Sequence, residues 1–306
     1  MTEKIYDVVV IGAGPAGMTA AMYSARSEMK TLLLERGVPG GQMNNTAEIE
    51  NYPGYGQIMG PELSMKMYEP LADLGVENAY GFVTSIVDNG TTKTINTEEE
   101  VFETKSIIIA TGANHRKLGV PGEEEYGARG VSYCAVCDGA FFRDQDILVV
   151  GGGDSAVEEA IFLTRFGKTV TIMHRRDELR AQKIIQERAF ANDKIKFIWD
   201  SVLEEIKGDE RKIESVRYKN VKTGEATEAN FGGLFIYVGL DAVSEFARDL
   251  GITDEEGWII TDATMKTSIP GIFAVGDVRQ KDFRQITTAV GDGAQAAQEA
   301  YKYVEG

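Results

Sequence analysis

Two segments of this chain each run an apolar, β-branched strand straight into a glycine-rich turn and then into a helical pattern. No other feature narrows the possible folds as much. In the first, Tyr6-Asp7-Val8-Val9-Val10-Ile11 leads into Gly12-Ala13-Gly14-Pro15-Ala16-Gly17. In the second, Asp146-Ile147-Leu148-Val149-Val150 leads into Gly151-Gly152-Gly153-Asp154-Ser155-Ala156. Continuous apolar runs of this kind read as parallel strands buried on both faces. A glycine turn between such a strand and a helix sets a pyrophosphate against free N–H groups and the positive end of the helix dipole. Gly12 permits the sharp turn, Gly14 the approach of backbone to phosphate, and Gly17 the close packing of helix on strand.

The two segments share one order of elements. After the first turn come a helix over Met18–Arg26, a strand at Thr31–Leu34 ending in Glu35, an alternating stretch at 79–104 with a turn at Asn89-Gly90, and a strand at Ser106–Ala110 followed by Thr111-Gly112. After the second come a helix over Val157–Phe166, a strand at Thr169–Met173, a second meander at 195–231, and a strand at Leu234–Val238 followed by Gly239. Beyond Asp241 remain one strand, Gly271–Val275, a Gly276-Asp277 turn and a final helix over Gln285–Val304, too little for a third domain. The expected fold is therefore α/β: two Rossmann-like nucleotide-binding domains, each with an antiparallel meander, the second inserted into the first. Residues 1–112 and 242–306 would form one domain and residues 113–241 the other. Two connecting strands near Ala113 and Gly239 would make a hinge.

The net charge of −16 argues against nucleic acids and anionic membranes as partners. No apolar run approaches the roughly 20 residues that span a bilayer. The N-terminal Met1-Thr2-Glu3-Lys4 leads into the first strand without a signal-peptide layout, so a cytoplasmic location is expected. In that compartment Cys134 and Cys137, the only two cysteines and spaced Cys-x-x-Cys, read as catalytic or metal-binding rather than as a lasting structural bridge. A structural zinc site wants four Cys or His ligands. The chain adds only His115 and His174, and His174 lies within a basic motif of its own, so no metal is expected.

The two nucleotide sites differ where the second strand ends. Glu35, about 20 residues beyond the first turn, would accept hydrogen bonds from ribose hydroxyls and repel a 2′-phosphate, which suits FAD or NAD. The equivalent stretch of the second site is His174-Arg175-Arg176-Asp177-Glu178-Leu179-Arg180, whose guanidinium groups match phosphate oxygens and suit NADPH. One NADP site, one other dinucleotide site and one dithiol amount to an electron relay. NAD in the first site would leave the relay without a carrier, so FAD is expected there. The acidic turn Gly276-Asp277-Val278 is placed to reach the ribityl or pyrophosphate part of so long a cofactor.

Taken together these motifs resemble the low-molecular-weight bacterial thioredoxin reductases over essentially the whole chain. The resemblance rests on Gly12–Gly17, Glu35 with Gly40-Gly41-Gln42, Ala110-Thr111-Gly112, Cys134-Ala135-Val136-Cys137-Asp138, Gly151–Ala156, His174-Arg175-Arg176 with Arg180, and Gly276-Asp277-Val278 followed by Arg284-Gln285-Ile286. It implies FAD in the first domain, NADPH in the second, a homodimer, and domains that rotate between two half-reactions. Cys134 and Cys137 would form the redox disulfide, with Cys137 nearer the flavin and Asp138 as the acid. Gly12, Gly14, Pro15, Ala16, Gly17, Glu35, Arg36, Gly41, Gln42, Asn51, Thr111, Gly112, Gly276, Asp277, Arg284, Gln285 and Ile286 would line the FAD site. Gly151, Gly153, Asp154, Ser155, Ala156 and His174 would take NADPH, with Arg175, Arg176 and Arg180 on its 2′-phosphate. Thioredoxin would dock by Arg129, Phe141 and Phe142.

Two positions depart from the family pattern. Ala140 stands first after Asp138-Gly139, where aromatic residues are common, and Asp154-Ser155 stands where Asn or Thr is common. A carboxylate at 154 has to point away from a pyrophosphate. The layout of glutathione reductase is excluded, because Gly40–Tyr55 holds no cysteine and no histidine follows His174. Ferredoxin or flavodoxin NADP reductases of the same architecture lack the Cys-x-x-Cys. The alternatives left are a flavin-dependent NADPH reductase of another dithiol protein and a non-catalytic redox-sensing flavoprotein.

Overall fold

A computed structural model describes residues 5–46, 48–127 and 129–306, with the side chains at 48, 136 and 137 outside the description. The chain divides into two units, residues up to Asn114 with Asp241–Gly306, and His115–Leu240.

The first unit opens with β1 (Ile5–Ile11), α1 (Pro15–Arg26) and β2 (Thr31–Glu35). Pro15 occupies the first helical turn, so α1 begins at the glycine turn itself and not at Met18. Proline suits that place because its missing N–H would have had no partner there. Next come β3 (Glu77–Tyr80), β4 (Val83–Asp88), β5 (Lys93–Thr97) and β6 (Val101–Ile109). The sheet order is β3-β2-β1-β6-β5-β4.

The sequence separates the meander from a closing strand, but the structure makes them one. Along one edge, β6 pairs antiparallel with β5 from Val101 to Thr104. From Ile107 to Ile109 the same edge turns to Ile272–Ala274, in parallel. The other edge of β6 runs beside β1. The burial pattern explains the change: Val101–Phe102–Glu103 is exposed or half-buried, whereas Ser106–Ile109 is buried throughout.

The chain passes into the second unit within β7 (Ala113–His115), at His115, and that unit contains β8 (Val131–Ser132), the single-turn α2 (Ala135–Asp138), β9 (Asp146–Gly151), α3 (Asp154–Leu163), β10 (Thr169–Met173) and β11 (Ile195–Ile198). There follow β12 (Ser201–Gly208), β13 (Ile213–Asn220), β14 (Ala226–Asn230) and β15 (Gly233–Tyr237). A five-stranded parallel sheet has the order β8-β15-β9-β10-β11, and β12-β13-β14 form a separate antiparallel sheet. The expected meander at 195–231 is therefore shorter by one strand. Ile195–Ile198 registers in parallel with Val170–Met173 instead, burying Ile195 beside the fully buried Val170 and Ile172. The helix expected over Val157–Phe166 starts three residues earlier, at Asp154, with Gly153 as its extended cap.

The chain re-enters the first unit within β16 (Leu240–Ala242), at Asp241, contributes β17 (Ile272–Ala274) and ends in α4 (Ile286–Glu305). Gln285 caps α4 in a reciprocal box with Thr288. α4 crosses α1 at very short range: a Cβ at Gly293 would lie 2.3 Å from the Ala16 carbonyl oxygen. Alanines 289, 296, 297 and 300 line the same buried face. Among the described residues no helix is long and apolar enough to cross a membrane.

A side chain at 293 can be accommodated only by moving one helix. We expect Gly293→Val to lower the thermal midpoint by several degrees, about 2 kcal/mol of stability. An unchanged midpoint by calorimetry would contradict the close crossing.

Candidate active site

The first glycine turn leaves β1 with Gly12 at φ 103°, a region that strongly favours glycine. Gly17 is required even more strictly, since a Cβ there would sit 1.8 Å from the Gly12 carbonyl oxygen. Around this turn gather the ends of neighbouring strands. Glu35, at the end of β2, accepts the Ala13 N–H at 2.6 Å and the Gly37 N–H at 2.8 Å. The Gly40 N–H donates to the Ala13 carbonyl at 2.7 Å, and the loop 40–42 thereby closes against the turn. Gln42 donates through Nε2 to the Ala113 carbonyl at 3.0 Å, and Thr111 through Oγ1 to the Val243 carbonyl at 2.6 Å. Arg36 reaches Asn114 Oδ1 at 3.5 Å.

The C-terminal segment adds the opposite wall. Gly276, at φ 72°, packs so closely on α1 that a Cβ would meet the Ala16 Cβ at 2.9 Å. Asp277 follows it, and its Oδ1 is buried without a hydrogen-bond partner. Burial raises the Asp277 carboxyl above its usual range, against the opposing pull of Lys281 and Arg284. Arg284 lies 3.9 Å above the Trp258 ring and donates to the Asp277 and Arg279 carbonyls at 3.3 and 3.1 Å. Asn51 donates to Gln285 Oε1 at 3.0 Å, next to Ile286 at the start of α4. The structure thus brings Gly12–Gly17, Glu35, Gly276 and Asp277 to the carboxyl ends of parallel strands, where α/β sheets bind ligands.

The second turn repeats this arrangement with other chemistry. Gly151 ends β9 with no room for a side chain, since a Cβ would fall 2.4 Å from the Tyr237 carbonyl oxygen. The His174 ring lies flat against Gly152, where a Cβ would come within 2.5 Å of it. Its Nε2 is buried and unpartnered. Burial, and then Arg180, Arg175 and Arg176, push the His174 imidazole below its ordinary range and keep it neutral. The Arg180 N–H donates to the Gly152 carbonyl at 2.7 Å, so the basic stretch is pinned to the turn by backbone while the three guanidinium groups stay exposed. Lys222 binds Asp177 at 2.8 Å, occupying an acid within the cluster. Asp154 is engaged as well: its two oxygens accept from the Gln182 N–H at 2.7 Å and Nε2 at 2.9 Å.

Between β8 and the second turn lies the cysteine segment. Cys134 is disulfide-bonded, and no cysteine of the described residues is free. The Cys134 N–H donates to Ser132 Oγ at 3.0 Å, and the Asp138 N–H closes the turn onto the Cys134 carbonyl at 3.2 Å. Cys137 falls on α2, and its side chain lies outside the described residues. Asp138 is half-buried.

The docking residues divide. Phe141 is 76% exposed. Phe142 corrects the sequence reading: it is buried, meets Phe235 edge-on at 5.4 Å and fills the space above Gly233. It is a core residue, unable to present a surface to a partner. Arg129 is exposed, but its guanidinium donates to the carbonyls of Glu210, at 2.8 Å, and Glu125. Sequence reasoning missed Tyr237, whose hydroxyl accepts the Ala135 N–H at 3.1 Å. It also missed Trp258, on whose ring Arg284 packs, because a lone aromatic carries no spacing signal.

Two dinucleotide turns of opposite charge preference, with a disulfide on the short helix before the second, define a nucleotide-linked disulfide oxidoreductase. The family model described as pyridine nucleotide-disulphide oxidoreductase matches residues 6–293, and the chain belongs to this family. A thioredoxin reductase of Listeria innocua is 57% identical over 303 residues, covering 99% of this chain and 95% of the relative. A solved thioredoxin reductase of Lactococcus lactis is 81% identical, with a TM-score of 0.97 and coverage of 98% and 99% of the two chains. The thioredoxin reductase of T. acidophilum keeps a TM-score of 0.94 at 37% identity, over 98% of this chain and 99% of its own.

Each arginine that grips a phosphate should contribute about 1.5–3 kcal/mol, or at least about tenfold in affinity. Arg175→Ala with Arg176→Ala should therefore weaken NADPH by roughly a hundredfold and leave NADH within about twofold. Equal losses for both nucleotides in titrations would remove the clamp.

Proposed function

We propose that this chain is an NADPH-dependent thioredoxin-disulfide reductase that uses FAD as its internal carrier. The observation that carries the proposal is the disulfide at Cys134, set on the segment between β8 and the glycine turn of β9. The residues fit both cofactors. Asp277 Oδ1 is a buried acceptor with no hydrogen bond, only an ion pair to Lys281 at 3.8 Å, and is suited to a ribityl hydroxyl. The Glu35 carboxylate at the end of β2 suits a ribose and disfavours a 2′-phosphate. In the other unit the unpartnered His174 Nε2 and three exposed arginines suit a phosphorylated nucleotide.

The first unit would hold FAD through Gly12, Gly14, Pro15, Ala16, Gly17, Glu35, Arg36, Gly41, Gln42, Asn51, Thr111, Gly112, Gly276, Asp277, Arg284, Gln285 and Ile286. The second would hold NADPH through Gly151, Gly153, Asp154, Ser155, Ala156, His174, Arg175, Arg176 and Arg180. FAD supplies two-electron chemistry linking nicotinamide to a disulfide. The protein's own residues do the rest. Cys134 and Cys137 take two electrons as their mutual bond opens, and Asp138 delivers a proton to the departing sulfur. The reduced pair then attacks the disulfide of thioredoxin by thiol–disulfide exchange. The Cys134–Cys137 segment has to meet the flavin and the protein substrate in turn, and the two crossings at 114–115 and 240–241 would serve as the hinge. Exposed Phe141, beside the redox segment, supports docking of thioredoxin there, with Arg129 at its margin. A homodimer in the cytoplasm completes the proposal.

Cys137→Ser should abolish NADPH-driven reduction of thioredoxin while leaving reduction of the flavin by NADPH intact, both followed in a stopped-flow spectrophotometer. Thioredoxin turnover that survives the substitution would refute a relay through this pair.

A further inference from the structure

The carboxylate of Asp292, on α4, bonds directly to the turn that carries Asp277. Its Oδ2 accepts the Gly276 N–H at 3.0 Å and pairs with Arg279 at 2.9 Å and with Lys281 at 3.1 Å. The side chains of Asp292, Arg279 and Lys281 are 12%, 11% and 13% exposed, so this network is largely shielded from water. Arg279 is anchored a second time, its Nε donating to Thr261 Oγ1 at 2.7 Å. Lys281 also reaches Thr288 Oγ1 at 3.3 Å, one turn before Asp292 on α4. The same ammonium stands 3.8 Å from Asp277 Oδ1, the buried oxygen that has no hydrogen bond. Arg284, the other cation beside this turn, gives its N–H groups to the main-chain carbonyls of Asp277 and Arg279.

Resting on the reading of the first unit as an FAD site, we propose that Asp292 is a positioning residue for the flavin. It holds Lys281 off the Asp277 carboxylate and so keeps Asp277 Oδ1 free to accept a hydroxyl of the cofactor.

Two carboxylates here compete for one ammonium. A charge-assisted N–H···O bond runs at about 2.8 Å, so at 3.8 Å Lys281 attracts Asp277 Oδ1 without bonding to it. Asp292 and Thr288 together set that distance, by engaging the ammonium from the α4 side. The grip of Asp292 depends on its charge. A neutral amide at 292 would still offer an oxygen to the Gly276 N–H, but would hold Lys281 only weakly. Lys281 would then close on Asp277, the other carboxylate with which it already pairs. A cofactor hydroxyl would have to break that charge-assisted bond before it could bind. The Gly276 N–H bond ties the turn to α4 as well, so one side chain sets both the place of Asp277 and the freedom of its oxygen.

The test is the affinity for FAD of the full-length protein freed of its flavin, measured by titration with FAD and the quenching of flavin fluorescence. Asp292→Asn should weaken FAD by about tenfold. Lys281→Met removes the ammonium and should bind FAD within about twofold of wild type. In the Lys281→Met background, Asp292→Asn should change the affinity by no more than about twofold, because no ammonium is left to close on Asp277. A merely structural Asp292 would cost the same with Lys281 present or absent. Asp292→Asn that binds FAD as wild type does, or that loses as much in the Lys281→Met background, overturns the inference. If Asp292→Asn alone fails to fold, Lys281→Met and the double variant decide: a tenfold gap between them overturns it, and equal affinities support it. Wild-type protein that binds no FAD would instead overturn the flavin reading of the first unit, and this role with it.

Discussion

The architecture depends on a steric constraint: at two turns the backbone approaches other backbone so closely that no side chain fits. A Cβ at Gly17 would lie 1.8 Å from one carbonyl oxygen, and a Cβ at Gly151 2.4 Å from another. At the first turn this brings the helix start down onto the end of its strand, and at the second a Cβ at Gly151 would also meet the Ala156 Cβ of the helix at 2.7 Å; both turns so aim unpaired N–H groups at the space beyond the sheet. The same logic closes the first unit from its far end. Gly276 rests on Ala16, and Gly293 lets the last helix cross the first. The C-terminal segment is in this way part of the first nucleotide unit, although it is remote from it in sequence.

On this shared frame, the two turns differ in what stands at the end of the second strand. Glu35 holds two backbone N–H groups with its carboxylate. His174 instead presses its ring onto glycine, with three arginines outside it. Near each turn one polar atom is buried without a hydrogen bond, Asp277 Oδ1 in one unit and His174 Nε2 in the other. Leaving such atoms without a hydrogen bond costs about 1–3 kcal/mol each, so a ligand that satisfied them would stabilise both units.

Much of this was legible in the sequence because it rests on local rules. Apolar β-branched runs, glycine turns and the charge that follows the second strand all act over short spans. What was not legible depends on partners distant along the chain. Strand β6 changes neighbour midway because residues 272–274 return to it from the far end of the sequence. Ile195–Ile198 joins the parallel sheet because β10 offers it an edge. Phe142 reads as a surface aromatic next to Phe141, yet Gly233 leaves a hollow that it fills. Tyr237 reads as one more apolar strand residue, and only the fold shows its hydroxyl serving the amide of Ala135.

The central claim is that electrons pass from a phosphorylated nicotinamide through a bound flavin into the disulfide at Cys134. The most direct measurement is the visible spectrum of the purified protein, recorded without oxygen. A yellow flavin spectrum should bleach on adding NADPH and return on adding oxidised thioredoxin. A colourless protein that cannot be reconstituted with FAD, or a bleached one that thioredoxin fails to reoxidise, would contradict the account.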